Sequence, residues 1–433
     1  MSRTQSSTFP VAVVGAGWAG LAAAATLAGR NIPVSVFEAS RQPGGRARRV
    51  RIEGVDLDIG QHIFIGAYRE TLALMRKVGA DPDRLLLRIP LELRYCDGFR
   101  LKVPRLPAPI DLLVALFAAN GLSFAQRLRA ARFVMALRSA EFRIEPDRPV
   151  TQLLSEHAQH GRLRTHLWEP LCVSALNTPV ESASAQVFAN VLRDGLVGER
   201  GSSDLMLART NLGALLPEPA VQYVRKHGGT VEFGAHVRSI RRDGKRFCLD
   251  ERAERFQAVI IACSPQHALP LLADLKELAP TCETIAKLAY EPIVTCYLQY
   301  SPEVSLPAPM IGISGGLVQW AFDRGSLDGP PGLLAAVISA SGVHQKIAKK
   351  VLARHIENEL RQTLGSLPAP RWSRLITERR ATFSCVPGLV RPPALTAVPG
   401  LLLAGDYTES DYPGTLEAAV RSGIRAAGHV DPE

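Results

Sequence analysis

Aromatic residues are scarce in this sequence, and their scarcity excludes one class of protein. Phe, Trp and Tyr together make up 6% of the 433 residues. Proteins that bind single-stranded nucleic acid stack bases on aromatic side chains, and the basic residues here form no compact run interleaved with aromatics. We therefore expect no nucleic-acid partner. The net charge of +10 leaves an anionic membrane surface as the alternative.

Cysteines are few and scattered, which argues against a metal site and a disulfide framework. There is no CxxC motif and no Cys/His cluster with the spacing of metal ligands. We expect no metal and reduced thiols in a cytoplasmic protein. The seven cysteines are Cys96, Cys172, Cys248, Cys263, Cys282, Cys296 and Cys385.

Long apolar runs are also missing. No stretch of about 18 uncharged apolar residues predicts a transmembrane helix. The polar start, MSRTQSSTFP, has no apolar core or cleavage site, so no signal peptide is expected. The length of the chain predicts two or three domains or subdomains.

The first forty residues have the pattern of a βαβ unit. Val11–Val14 is a short apolar run that predicts a buried parallel strand. The Ala-rich stretch Leu21–Gly29 favours a helix, and Val34–Phe37 predicts the next strand, which ends at Glu38.

Three glycines between the first strand and the helix indicate a dinucleotide site. Gly15, Gly17 and Gly20 spell G-x-G-x-x-G. They allow a tight turn, close approach of a pyrophosphate, and close packing of helix on strand. Glu38 is an acid where the ribose hydroxyls of such a cofactor are bound. The alternative is an incidental glycine-rich turn.

Two polar segments follow this unit. PGGRARR supplies Gly45 for backbone freedom and Arg46 for a phosphate oxygen; the alternative is a solvated basic loop. The strand-like stretch Asp56–Phe64 supplies Gly60, which allows close approach, and His62. We expect His62 to line the cofactor, although a lone histidine is often structural.

The end of the chain has a second strand–turn–helix pattern that is typical of a cofactor site. Leu401–Ala404 predicts a buried strand, and Gly405 and Asp406 follow it as a turn. Thr415 and Leu416 then open a helix whose free N–H groups suit an electron-rich ring. A second contact so far along the chain suits a long cofactor such as FAD, with adenosine at one end and isoalloxazine at the other.

Several motifs together resemble those of the FAD-dependent amine oxidase and phytoene desaturase superfamily. They are VVGAGWAGLAAA, VFEAS, GGRA, DIGQHIF, VRSI, VIIACSP and LLLAGDYTESDYPGTLEAAVRSG. The resemblance implies FAD as cofactor, with Val237 pairing to adenine through its backbone. No S-G-G-C-Y-like stretch lies near the C-terminus, so non-covalent FAD is implied.

This resemblance also implies a fold class. We expect an α/β protein with a Rossmann-like (GR2-type) FAD-binding domain and an interleaved α+β substrate-binding domain with a helical part. The FAD-binding domain is predicted at 1–90, 205–265 and 385–433. The substrate-binding domain is predicted at 91–204 and 266–384.

A further stretch narrows the resemblance to one branch. LWEPLCVSALNTPVESASAQVFANVL (Leu167–Leu192) is similar to the squalene-associated branch, the hydroxysqualene dehydroxylases. That branch reduces hydroxysqualene to squalene in bacterial hopanoid biosynthesis, which implies a hydrophobic isoprenoid substrate. The alternatives are a carotenoid (phytoene-type) desaturase, a flavin amine oxidase and a non-catalytic prenyl carrier. No second G-x-G-x-x-G for a pyridine nucleotide exists, so the sequence identifies no electron donor.

The reduction of an alcohol needs a proton donor. His62, Glu409 and Asp411 are the candidates because they lie in or beside the motifs expected at the flavin. For Glu409 and Asp411 the alternative is an exposed polar loop.

One segment predicts peripheral contact with the inner membrane. Leu106–Arg138 begins with an apolar stretch too short to span a bilayer and then becomes basic. Its arginines are Arg127, Arg129, Arg132 and Arg138. The alternative is a core-packed helical pair.

Overall fold

The computed structural model describes residues 9–107, 110–196, 198–365 and 367–431. The strands of these residues are β1 (Val11–Val14), β2 (Val34–Glu38), β3 (Arg49–Ile52), β4 (Val55–Asp58), β5 (Ile63–Ile65), β6 (Leu86–Ile89), β7 (Glu92–Arg94), β8 (Arg100–Lys102), β9 (Leu205–Ala208), β10 (Thr230–Phe233), β11 (Ile240–Asp243), β12 (Arg246–Leu249), β13 (Ala258–Ile261), β14 (Tyr290–Gln299), β15 (Met310–Gly312), β16 (Trp320–Asp323), β17 (Leu333–Ser339), β18 (Trp372–Phe383) and β19 (Leu401–Leu403). The α-helices are α1 (Trp18–Ala28), α2 (Arg69–Lys77), α3 (Pro82–Leu85), α4 (Ile110–Ala118), α5 (Phe124–Ser139), α6 (Val150–Glu156), α7 (Glu169–Leu176), α8 (Ala185–Leu196), α9 (Leu212–Leu215), α10 (Pro217–Lys226), α11 (Pro265–Leu272), α12 (Ala279–Ala286), α13 (Lys349–Leu364) and α14 (Leu416–Gly428).

A parallel sheet forms the first layer, in the order β10-β2-β1-β13-β19. Its central strands are apolar and buried on both faces, as parallel strands covered by helices require. The first βαβ unit is present, with α1 between β1 and β2.

Helices α1 and α14 pack directly on each other, and small residues allow it. A Cβ atom on Gly423 would lie 2.0 Å from the carbonyl oxygen of Ala19. The Ala-rich face of α1 therefore brings the last helix of the chain against the first. The end of the chain reaches the cofactor edge of the parallel sheet through this contact.

A second sheet, largely antiparallel, has the order β15-β16-β17-β14-β18. Helix α13 packs against β14 and β18. Helices α4–α8 precede this sheet in the chain, and their core includes Trp168 packed edge-on against Phe133 at 5.1 Å. The predicted fold class is confirmed: a Rossmann-like parallel sheet with an interleaved α+β region.

The strands of the two sheets fall into separate segments of the chain. All five strands of the parallel sheet lie within the three segments expected for the FAD-binding domain. All five strands of the second sheet lie within 266–384. The division of the chain into these two domains remains our proposal.

The stretch Asp56–Phe64 differs from the single strand-like segment that its sequence indicates. Strand β4 ends at Asp58 and β5 begins at Ile63, with no ladder between them. The Tyr297 hydroxyl donates to the Asp58 carbonyl (2.9 Å) and accepts from Gln61 Nε2 (2.7 Å). These bonds satisfy polar groups that a continuous ladder would otherwise use.

Candidate cofactor and active site

The turn after β1 is built by glycines with different tasks. Gly15 has φ of +109°, and a Cβ there would lie 2.9 Å from the Ala262 carbonyl oxygen. A Cβ on Gly20 would lie 1.9 Å from the Gly15 oxygen. These two glycines are required by the chain's own packing. Gly17 is not crowded, since the nearest atom to its Cβ would be Gly45 Cα at 4.0 Å.

A second glycine-rich loop faces this turn. The Gly44 N–H donates to the Ala16 carbonyl at 2.8 Å, and Gly44 pairs with Gly17 as an isolated bridge. Gly45 has φ of +60°, and a Cβ there would lie 3.2 Å from Gly17 Cα. The two loops thus approach each other as bare backbone at the N-terminus of α1. Such an arrangement suits a pyrophosphate.

Glu38 holds the end of β2 beside the same turn. Its Oε2 accepts from the Ala16 N–H at 2.6 Å and its Oε1 from the Ser40 N–H at 2.8 Å. Each carboxylate oxygen keeps further lone pairs for a ribose hydroxyl. The Ala235 N–H donates to the Glu38 carbonyl, which brings the segment of buried Val237 to this end of the sheet.

An ion pair joins the second glycine loop to the end of the chain. Arg46 Nη2 lies 2.5 Å from Asp406 Oδ1, and Arg46 Nη1 donates to the Ala381 carbonyl at 2.7 Å. Asp406 is 5% exposed. The pairing means that neither group is left as a buried unpaired charge. Residues 360 positions apart are therefore fixed at one site.

The start of α14 completes this edge of the site. The Thr415 hydroxyl caps α14 by accepting from the Ala418 N–H at 3.1 Å, and Leu416 begins the helix. A Cβ atom on Gly405 would lie only 2.5 Å from the aromatic ring of Tyr407. A Cβ on Gly414, just before the helix, would lie 3.3 Å from Asp406 Oδ2, so the helix N-terminus lies next to Asp406.

His62 lies in the break between β4 and β5. Burial, and then the charge of Arg46, lower the pKa of His62 to about 4. Its imidazole is therefore neutral at pH 7 and can accept or donate a hydrogen bond without carrying charge.

Sequence reasoning missed the buried polar network around this break. Arg324 donates from Nη1 to Gln61 Oε1 at 3.3 Å and pairs through Nη2 with Asp328. Asp58 is 3% exposed and accepts from the Leu212 N–H at 2.9 Å. Burial raises the pKa of Asp58 to about 7. The partners come from distant segments, so no local sequence signal reveals the network.

Glu417 is a second buried acid that sequence reasoning missed. It is fully buried and accepts from the Glu70 and Thr71 N–H groups at 3.1 and 2.9 Å, and from the Thr71 hydroxyl at 2.7 Å. It therefore satisfies free N–H groups at the start of α2. An acid within the apolar pattern TLEAAV is the one signal that could have revealed it.

Glu409 and Asp411 lie on the loop between β19 and α14, and both are exposed. Their backbone carbonyls accept from Arg425 and from Asn190, respectively. Asn190 belongs to α8, so the loop touches the helical part of the protein. The structure does not bury these two carboxylates beside His62.

The chain's residues fit FAD. The two glycine loops meet as bare backbone, and side chains there would close the space. An acid ends β2, and a helix N-terminus lies at the opposite part of the same edge. A cofactor with a pyrophosphate centre, a ribose and an electron-rich ring matches this order of groups. The fold and the site together define an FAD-dependent oxidoreductase.

The comparison with known proteins specifies the family. The chain belongs to the flavin containing amine oxidoreductase family, whose pattern matches residues 18–431. This confirms the predicted superfamily and FAD as its cofactor.

Individual relatives are similar along nearly the whole chain. Hydroxysqualene dehydroxylase of Rhodopseudomonas palustris is 31% identical, over 97% of this chain and 98% of the relative. A probable zeta-carotene desaturase of Synechococcus elongatus is 24% identical, over 96% and 97%. The crystal structure of cyclohexylamine oxidase from Brevibacterium oxydans shares the fold, with a TM-score of 0.70, 18% identity, and coverage of 97% and 98%.

Within the described ranges, none of the helices is both long and apolar enough to cross a bilayer.

Proposed function

We propose that this protein reduces hydroxysqualene to squalene in bacterial squalene and hopanoid biosynthesis. The observation that carries the proposal is the full-length similarity to a hydroxysqualene dehydroxylase, at 31% identity. Similarity to a carotene desaturase over the same length is lower, at 24%. The substrate is accordingly a C30 isoprenoid alcohol.

We propose that FAD is held along the carboxyl edge of the parallel sheet. Its pyrophosphate lies at the loops of the first turn, its ribose at Glu38 and its adenine at the Val237 backbone. The flavin half lies toward the break at His62 and the start of α14. The residues assigned to the cofactor are Gly15, Gly17, Gly20, Glu38, Gly45, Arg46, Gly60, Val237, Gly405, Asp406, Thr415 and Leu416.

The overall change at the substrate breaks a C–O bond and forms a C–H bond. The hydroxyl leaves as water after it gains a proton, and the carbon gains a hydride. Reduced FAD supplies this hydride when bound. The protein must orient the substrate, deliver the proton and exclude water.

The three candidate acids differ in what they can contribute to this step. His62 has no proton to lose as an imidazolium at pH 7, because its pKa is lowered to about 4. We propose it as a neutral hydrogen-bonding group that orients substrate or cofactor. Glu409 and Asp411 are exposed in the free protein, so we propose either as the acid only in the complex, where bound substrate covers their loop.

Contacts of Tyr412 do not favour an amine-binding cage at this ring. An amine site uses aromatic faces free to hold a cation. The Tyr412 hydroxyl instead donates to Asp194 Oδ2 at 2.6 Å, and Arg421 lies 4.3 Å from the centre of its ring. This ring is already occupied by the protein's own cation.

Product analysis tests the proposed reaction. The chemically reduced enzyme is incubated anaerobically with hydroxysqualene, and the oxidised enzyme with phytoene and with squalene separately. We expect squalene from the first reaction and unchanged substrate from the other two, by mass spectrometry. Desaturated products from the oxidised enzyme would support the desaturase alternative. A purified protein without a flavin absorption spectrum would support the prenyl carrier.

We propose a cytoplasmic location with peripheral attachment to the inner membrane. A C30 isoprenoid is far more soluble in lipid than in water. An enzyme that takes such a substrate without spanning the bilayer gains access to it by lying on the membrane surface.

A further inference from the structure

Exposed apolar side chains are concentrated in one part of the molecule. Among the described residues, ten large apolar side chains are exposed, and six of them belong to the segment 106–135. Large exposed apolar patches mark interaction sites, whereas isolated exposed residues need no explanation. The six are Leu106, Ile110, Val114, Phe117, Phe124 and Met135, and we call them the docking face.

Helix α4 presents one apolar stripe to solvent. Ile110, Val114 and Phe117 follow the i, i+4, i+7 spacing of a single helix face and are 54%, 40% and 40% exposed. Its buried residues, Leu112 and Leu116, lie on the other side. The helix is therefore apolar on both sides, although only one side meets the core.

Helix α5 continues the face. Phe124 is 70% exposed and Met135 is 61% exposed. Eleven residues correspond to three helical turns, so both side chains lie on one side of α5. The rings of Phe117 and Phe124 are 6.2 Å apart, which joins the stripe of α4 to the start of α5.

Guanidinium groups border the docking face. Arg129, Arg132 and Arg138 are exposed along α5. At the other end, Arg105 and Arg200 line one cleft near the start of α4, and Arg200 Nη2 lies 3.5 Å from the Arg105 carbonyl. Exposed arginines beside apolar side chains can bind lipid phosphates while the apolar groups enter the acyl region.

Arg127 does not belong to this border, contrary to the sequence interpretation. Its Nη1 and Nη2 donate to the carbonyls of Phe117 and Ala119 at 2.7 and 2.9 Å. It therefore caps the C-terminal end of α4 and fixes the angle between α4 and α5. This cap keeps the stripes of the two helices together.

We propose that the docking face binds the surface of an anionic phospholipid bilayer, with its apolar side chains in the acyl boundary and the bordering arginines on lipid phosphates. The charge pattern selects lipid over a second copy of this chain, because two such faces would bring like charges together. Docking at this face adds a membrane contact to the proposed function. It rests on that function only in one respect, namely that the proposed substrate is lipid-soluble.

Vesicle sedimentation of the holoenzyme tests the proposal without any substrate. Vesicles of phosphatidylcholine are compared with and without phosphatidylglycerol, at low and high salt. We expect binding to the anionic vesicles at low salt and weaker binding at high salt. The double variant Phe117→Glu/Phe124→Glu should reduce the bound fraction about tenfold or more. Val343→Glu/Val390→Glu is the matched control, since Val343 and Val390 are 69% and 72% exposed outside the face.

Several results would overturn the proposal. One is a wild-type holoenzyme that stays in the supernatant with anionic vesicles at low salt. Another is an equal loss of binding in Val343→Glu/Val390→Glu. A third is a wild-type dimer that Phe117→Glu/Phe124→Glu converts to monomer, since a second copy would then cover the face. Retained flavin content shows that the double variant is folded. Retained turnover of detergent-dispersed substrate shows that the loss of vesicle binding is independent of the proposed reaction.

Discussion

At the scale of single residues, the glycines of the first turn have two roles. Packing of the chain requires Gly15 and Gly20, and we propose that binding of the cofactor requires Gly17. Gly15 and Gly20 are forced by contacts within the chain. Gly17 has open space before it, whereas the facing Gly45 has φ of +60° and a Cβ there would lie 3.2 Å from Gly17 Cα. We propose that this open backbone at the start of α1 receives the pyrophosphate of FAD.

Substitution of Gly17 is therefore expected to remove the cofactor and leave the fold intact. In Gly17→Val the new side chain occupies the space assigned to the pyrophosphate, and we expect at least about a tenfold loss of bound FAD. The flavin absorbance of the purified protein measures this. Gly195→Val is the control, because Gly195 has no atom within 4 Å of its Cβ position. Full flavin content in Gly17→Val would contradict our placement of FAD.

Asp58 predicts a specific pH dependence of stability. Burial raises its pKa from 3.8 to about 7, so the folded state binds the proton more tightly than the unfolded state. This contribution to stability is complete below pH 4 and is lost as the pH rises to about 7. Asp58→Asn keeps an oxygen for the Leu212 N–H and removes the titration. We expect the variant to gain stability over the wild type from pH 5 to pH 8, by at most about 4 kcal/mol.

Denaturant unfolding of both holoenzymes across that pH range provides the measurement. Asp56→Asn is the control, because Asp56 is exposed and two residues away. A stability difference between Asp58→Asn and the wild type that is independent of pH would disprove the titration of this carboxyl group.

At the scale of elements, local pattern determined what could be predicted. Apolar runs bounded by glycines predict the strands at Val11–Val14 and Leu401–Leu403 and the helix between the first two strands. All three elements are present. The break at residues 59–62 was not predictable. It depends on Tyr297 and Arg324, which lie more than 230 residues away in sequence.

The same contrast applies to the candidate site. Glu38 ends β2, Arg46 lies in the loop before β3, and Asp406 lies in the loop after β19, as the motifs predict. Sequence alone does not show that Arg46 and Asp406 form an ion pair, or that Glu417 is buried. Side-chain partners across different elements are set by the tertiary fold, so only short-range features have a sequence signal.

Glu417 links helix α14 to helix α2, and its loss should weaken both. In Glu417→Gln one carboxylate oxygen becomes an NH₂ group, which cannot accept from the N–H groups at the start of α2. We expect a loss of about 1–3 kcal/mol in the free energy of unfolding. Without Arg421, Glu417 keeps its three hydrogen-bond donors in α2, so Arg421→Gln should cost less than Glu417→Gln. Chemical denaturation of both variants measures these losses. Equal losses in the free energy of unfolding would show that the ion pair matters and the link between the helices does not.

At the scale of the whole molecule, the chain makes one cofactor edge from its two ends. Strand β19 pairs with β13, helix α14 packs on α1, and Arg46 joins Asp406. The regions between these ends supply the second sheet and the docking face. The same fold serves oxidation and reduction, so the direction of the reaction must be measured.

Anaerobic reoxidation of the photoreduced enzyme, followed by its flavin absorbance, tests the proposed reaction directly. We expect hydroxysqualene to reoxidise the flavin, with squalene formed in equal amount, and squalene itself to leave the reduced flavin unchanged. A reduced flavin that does not respond to hydroxysqualene, together with an oxidised enzyme that is bleached by phytoene or squalene, would contradict the proposed reaction.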